Sequence, residues 1–105
     1  MGADLYIELE CEPNYFRDSY GDAMLWRFGL TWWVDVIPML DRDDRLSVEH
    51  AQKLLDLLKE REALFEANLA GDSEEYQKHF RKRYAQLQEF LRTAIRLNEP
   101  VLCSL

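Results

Sequence analysis

His50, His79, Cys11, Cys103, Asp18 and Asp35 are the side chains whose types could carry chemistry, and their spacing narrows what that chemistry is. Neither histidine belongs to an H-E-x-x-H or E-x-x-H pattern, so zinc and di-iron centres lack support. Glu75 and His79 are i, i+4 neighbours, but two ligands do not make a site, and a surface pair is the commoner meaning. The run "DRDDRLSVEHAQ" (41–52) has the look of a calcium loop. Leu46 stands where that loop needs Gly, and Gln52 where it needs a bidentate Glu. Neither a phosphate-cradling glycine pattern nor a nucleophile elbow occurs. The reading is therefore of a protein that is not an enzyme and takes no cofactor or metal. A small enzyme using Asp18, Asp35 or Cys103 stands last among the alternatives.

The 105 residues make room for one domain, 1–105, large enough to bury a core without staples. Net charge is −7 and uneven. Residues 1–46 hold ten Asp and Glu against four Lys and Arg, and residues 47–105 hold ten against nine. An acidic front half repels nucleic acid and anionic membrane and suits a basic protein surface. The cluster "KHFRKR" (78–83) looks basic, but Lys78, Arg81, Lys82, Arg92 and Arg96 share their helix face with Glu74 and Glu89 and no aromatic. That is the composition of a solvated face, so no direct nucleic-acid binding and no membrane contact are expected. The start, "MGADLYIELE", has no secretory pattern, so a cytoplasmic protein with reduced Cys11 and Cys103 is expected.

The elements that must position these side chains follow from periodicity. Residues 3–10 alternate Leu5, Ile7 and Leu9 with Tyr6, Glu8 and Glu10, which predicts a short strand. Residues 48–69 place Ala51, Leu54, Leu55, Leu58, Phe65 and Leu69 on one helix side, opened by Ser47, with Leu57 and Leu64 widening the stripe. Asp72 and Glu75 have capping-box spacing for a second helix. Its seam runs through Tyr76, Phe80, Tyr84, Leu87, Leu91 and Ala94 to Asn98. The pattern predicts a mainly α fold: a long antiparallel hairpin (about 47–70 and 72–98) covered by the aromatic-rich helical segment 15–40, with at most a minor N-terminal strand. In that segment Asp22 and Thr31 are candidate helix caps, Gly29 a left-handed stop and Pro38 a kink. Trp26, Phe28 and one of Trp32 and Trp33 are expected in the core.

Two charges stand out. Arg61 lies on the apolar stripe between Leu58 and Phe65, and Asp35 is the one charge in "TWWVDVIPML". A buried charge needs a partner, so Arg61 is expected to pair with Asp35, or with Asp18, and pin the front segment to the hairpin. Residues 15–35 hold seven aromatics, and successive helical residues diverge by about 100°, so Trp32 and Trp33 cannot both face one core. The expected partner-binding face is Tyr15, Phe16, Arg17, Asp18, Tyr20 and Trp33, rich in residue types that carry binding energy. The competing reading, in which these aromatics all pack inward, stays open on the sequence alone.

"MGADLY", "YFRDSY", "LWRFGLTWWVD" and "LNEPVLCSL" together resemble a family of small proteins of unknown function in tailed phages and prophages. The resemblance spans Gly2 to Leu105; Gly21 stands where the family pattern has Asn, and Thr31 where it has Ser. It supplies no functional residues. It implies a protein that acts stoichiometrically on a host protein in the bacterial cytoplasm, as inhibitors of host defence such as anti-CRISPR proteins do. The alternative from another class is a structural or assembly protein working as a homodimer or larger homo-oligomer.

Overall fold

The computed structural model describes residues 2–18 and 24–105. Four strands, β1 (Ala3–Ile7), β2 (Tyr15–Asp18), β3 (Arg45–Leu46) and β4 (Val101–Ser104), form one antiparallel sheet in the order β2-β1-β4-β3. The mainly α expectation is thereby corrected. Helical elements take 58% and the sheet 16%, so the domain is mixed α and β. The strand at the N-terminus is central, and segment 15–18, part of the aromatic stretch expected to cover the hairpin, is the strand beside it.

Strand alternation divides the sheet into two faces. Ala3, Leu5, Ile7, Phe16, Asp18, Leu46, Val101 and Cys103 are buried on one side. The helices cover that side: Phe16 meets Phe90 of α3 (Glu74–Leu97) with ring centroids 6.4 Å apart. The expected helix over 47–70 is two, α1 (Val48–Glu60) and α2 (Glu62–Leu69), because Arg61 leaves helical geometry at φ −104°, ψ 13°. Ala51, Leu54, Leu55, Leu58, Phe65 and Leu69 are nonetheless buried; of the two residues expected to widen the stripe, Leu57 is half-buried and Leu64 is exposed. Ser47 caps α1 through the His50 N–H, as expected. The cap of α3 is Ser73, one residue beyond the expected Asp72, and Asn98 at φ 54° ends it. The α3 seam packs progressively: Tyr84, Leu87, Leu91 and Ala94 are buried, Phe80 is half-buried against the core, and Tyr76 is exposed. No helix among the described residues is long and apolar enough to cross a membrane.

Between β2 and β3 the chain makes a 3-10 turn (Leu25–Phe28), a π-helical turn (Trp32–Val36) and a second 3-10 turn (Ile37–Met39). Three residues per turn put Leu25 and Phe28 on the inward side. Phe28 stacks on Phe65 of α2 at 4.3 Å and meets the edge of Tyr84 of α3 at 4.8 Å, joining three elements. Trp26, expected in the core, points outward at 59% exposure for the same geometric reason. Gly29 ends the turn at φ 72°, where a side chain would be strained and would meet Leu64 and Arg61 at 3.0–3.1 Å.

Asp18 is the polar centre of this packing. It faces inward from β2 at 4% exposure. Trp32 Nε1–H donates to its Oδ2 at 2.8 Å, Leu25 N–H to the same oxygen at 3.4 Å and Met24 N–H to Oδ1 at 3.3 Å. One carboxylate thus ties the strand to both turns. Burial outweighs these bonds and pushes its carboxyl above the ordinary 3.8. The folded chain then binds this proton more tightly than the unfolded chain. The group's contribution to stability is full below the ordinary value and falls as pH rises through the raised one. Carboxyl-carbon NMR should place the Asp18 midpoint above that of the exposed aspartates, and Trp32→Phe, which removes the strongest donor, should raise it further. Asp18→Ala orphans three donors and should cost about 2–3 kcal/mol in denaturant unfolding; a loss below about 0.5 kcal/mol would deny Asp18 this role.

Candidate functional site

Among the described residues no element covers the side of the sheet away from the helices, and the strand register arranges its side chains in two rows. Arg17, Asp4 and Ser104 lie abreast across β2, β1 and β4. Tyr15, Tyr6, Leu102 and Arg45 lie abreast across all four strands. Tyr6 and Tyr15 are exposed with rings 5.1 Å apart. Tyr15 Oη–H donates to Asp4 Oδ1 at 2.6 Å, and Arg17 Nη1 reaches both Asp4 oxygens at 2.8 Å. The Tyr15 hydroxyl first, then Arg17, hold the Asp4 carboxyl below its ordinary value. Arg45 Nη2 braces the far corner on Glu8 at 3.1 and 3.2 Å. The result is an apolar band of two tyrosines and a leucine held between two ion pairs.

Trp33 extends this surface. It is 54% exposed and lines a cleft with Ile37, Leu40, Asp41, Asp44 and Ser104. Ser104 belongs to both the cleft wall and the first row of the sheet face. The turn that presents Trp33 is capped reciprocally. Thr31 Oγ1 accepts from Val34 N–H at 3.0 Å, and Asp35 Oδ2 accepts from Thr31 N–H at 2.8 Å. Trp32 then points to Asp18 and Trp33 away from it, which realises the expected divergence of the adjacent indoles.

The six expected binding residues therefore separate. Tyr15, Arg17 and Trp33 are exposed on the open face or its margin. Phe16 and Asp18 are buried, because strand alternation turns them toward the helices. Phe16 lies under the Arg83 guanidinium at 4.4 Å, and Arg83 also donates to the Arg17 carbonyl. Tyr20, like the Asp22 cap, lies outside the described residues. Tyr6, Asp4, Leu102 and Ser104 escaped the sequence reading. Tyr6 had a signal, since alternation set it opposite Leu5 and Ile7; the four residues of β4 are too few to show a period.

The expected Asp35–Arg61 pair does not form, and Arg61 does not reach Asp18. Arg61 Nη1 donates to the carbonyls of Phe28 and Gly29 at 3.2 and 3.3 Å, and Asp35 is occupied by its own turn. Carbonyls freed at the end of a 3-10 turn satisfy a cation as a carboxylate would. The groups open to catalysis are engaged in structure: Asp18 and Asp35 as above, and Cys103 with its buried thiol pushed up to about 12, chiefly by desolvation. Cys11 and Cys103 are unbridged. Among the described residues no three His, Cys, Asp or Glu side chains gather closely enough to hold a metal ion.

Arg61→Ala and Asp35→Ala should each cost about 1 kcal/mol, through lost carbonyl contacts and a lost cap respectively. A double-mutant cycle should find them additive to within about 0.5 kcal/mol. A coupling of 1 kcal/mol or more, on the same scale, would restore the ion pair.

Neither protein-family models, nor curated proteins, nor solved structures yield a match to this chain.

Proposed function

We propose that the protein acts stoichiometrically, by docking its open sheet face on a protein partner with a basic surface. The single observation that carries this is the uncovered band Tyr15–Tyr6–Leu102, flanked by the Asp4–Arg17 and Glu8–Arg45 pairs. A solvated sheet face needs only polar side chains to be soluble. Here it presents tyrosines, an arginine and a nearby tryptophan, the residue types that carry most interface energy. Tyr15 and Arg17 are fixed in advance by their hydrogen bonds to Asp4, which lowers the entropic cost of association.

Charge names the partner's sign. Glu8, Glu10 and Glu12 are exposed at the β1–β2 end of the face, and Asp41, Asp43 and Asp44 beside β3, where Arg42 is also exposed. This rim repels nucleic acid and speeds encounter with a cationic protein surface. The resemblance to phage proteins supplies the setting: a host protein, and an inhibitory role of the anti-CRISPR kind.

Tagged protein in host lysate should retain a partner that is released as salt rises. Tyr6→Ala, Tyr15→Ala and Trp33→Ala should each weaken that association about tenfold or more, which is 1.4 kcal/mol. Trp26→Ala, on the turn that packs against α2, should bind as the parent does. Equal retention by all four folded variants would place the partner elsewhere, the basic side of α3 being the surface left.

A further inference from the structure

The cleft at the end of the sheet face has a composition suited to one chemical group. It measures about 420 Å³ and opens between the turns over 32–39 and the β3–β4 edge. Trp33 and Ile37 are four apart on one helical side, so an indole and an aliphatic side chain form one wall. Asp41 and Asp44 contribute to the other, and among the described residues no basic side chain lines it.

Both carboxylates are placed by the turn that holds them. Asp41 Oδ1 accepts from the Asp43 and Arg45 N–H groups at 2.9 and 3.0 Å, and no described donor meets its Oδ2. The Arg45 N–H bond above all keeps Asp41 acidic. Asp44 adopts φ 59°, its carbonyl accepts from Cys103 N–H at 2.9 Å, and no described donor meets its carboxylate. Its charge adds to the desolvation that raises the Cys103 thiol, which locates that carboxylate beside the same wall. The Arg45 side chain is paired with Glu8, and its charge and that of Arg42 reach Asp41 through space without lining the cleft.

We infer that this cleft receives a guanidinium side chain, an arginine of the docked partner, stacked on Trp33 and paired with Asp41 and Asp44. Guanidinium is planar, weakly hydrated and five-fold donating, so it gains from an aromatic face and a carboxylate together, where ammonium stays hydrated. The inference rests on the reading of the sheet face as a docking surface and deepens it, by naming the partner group that the margin of that face recognises.

The cleft is testable without the partner. N-acetyl-arginine amide is titrated into the ¹⁵N-labelled chain, with N-acetyl-citrulline amide as its neutral isostere, and the Trp33 indole N–H assigned through Trp33→Phe. The arginine probe should shift the Trp33 indole and Asp44 amide resonances saturably in the millimolar range. Citrulline should be weaker by about tenfold, as should arginine on Asp44→Asn or at high salt. Asn tolerates the left-handed conformation, so this variant keeps the turn. Equal shifts from both probes, no shift from arginine, or an unchanged response in Asp44→Asn would each overturn the inference. Tyr6→Ala and Tyr15→Ala should leave the probe's effect intact, so the cleft and the sheet face can fail separately.

Discussion

A carboxylate inside the core organises this domain. Asp18 sits where strand alternation calls for an apolar side chain, and it stays there because three donors from two later turns converge on it. An unpaired charge at that depth would be strongly destabilising, so its burial and the path of the chain through 24–32 require one another. With Trp32 drawn inward, the adjacent Trp33 must point out; with β2 held at Asp18, Tyr15 and Arg17 must lie on the opposite face. The exposed site is thus the reverse side of the buried one.

That same residue hid the strand from the sequence. "YFRD" alternates in and out, but an aspartate at an inward position breaks the hydrophobic signature, and four residues offer too little period to recover it. β4 was obscured by brevity, although Val101 and Cys103 alternate correctly with Leu102 and Ser104. The stripe of α1 and α2 is legible because it is long and its central members are buried, and Ser47, Thr31, Gly29 and Asn98 are legible as local cap and stop chemistry. The break at Arg61 is not, since nothing in "KEREA" forbids a continuous helix. The break coincides with two carbonyls of a distant turn that Arg61 reaches.

The binding face was legible in part for a related reason. Tyr15, Arg17 and Trp33 were picked for their residue types, and they lie on or beside the surface. Their neighbours Tyr6, Leu102 and Ser104 come from strands whose pairing is set by contacts across the whole chain, between residues as distant as Asp4 and Ser104. No local pattern encodes such pairing. The helices and the turns over 24–36 bury one side of the sheet, and the other side is left with oriented tyrosines, two ion pairs and an acidic margin. An apolar band with fixed polar edges is what a protein interface core and rim require.

Hydrogen-exchange and side-chain footprinting of the complex, compared with the free chain, tests this account most directly. Protection is expected at Tyr6, Tyr15, Leu102 and Ser104 and along the Trp33 turn, with Lys78, Lys82, Arg92 and Arg96 on α3 unchanged. Protection confined to those α3 residues, with the sheet face as reactive as in the free chain, would contradict it.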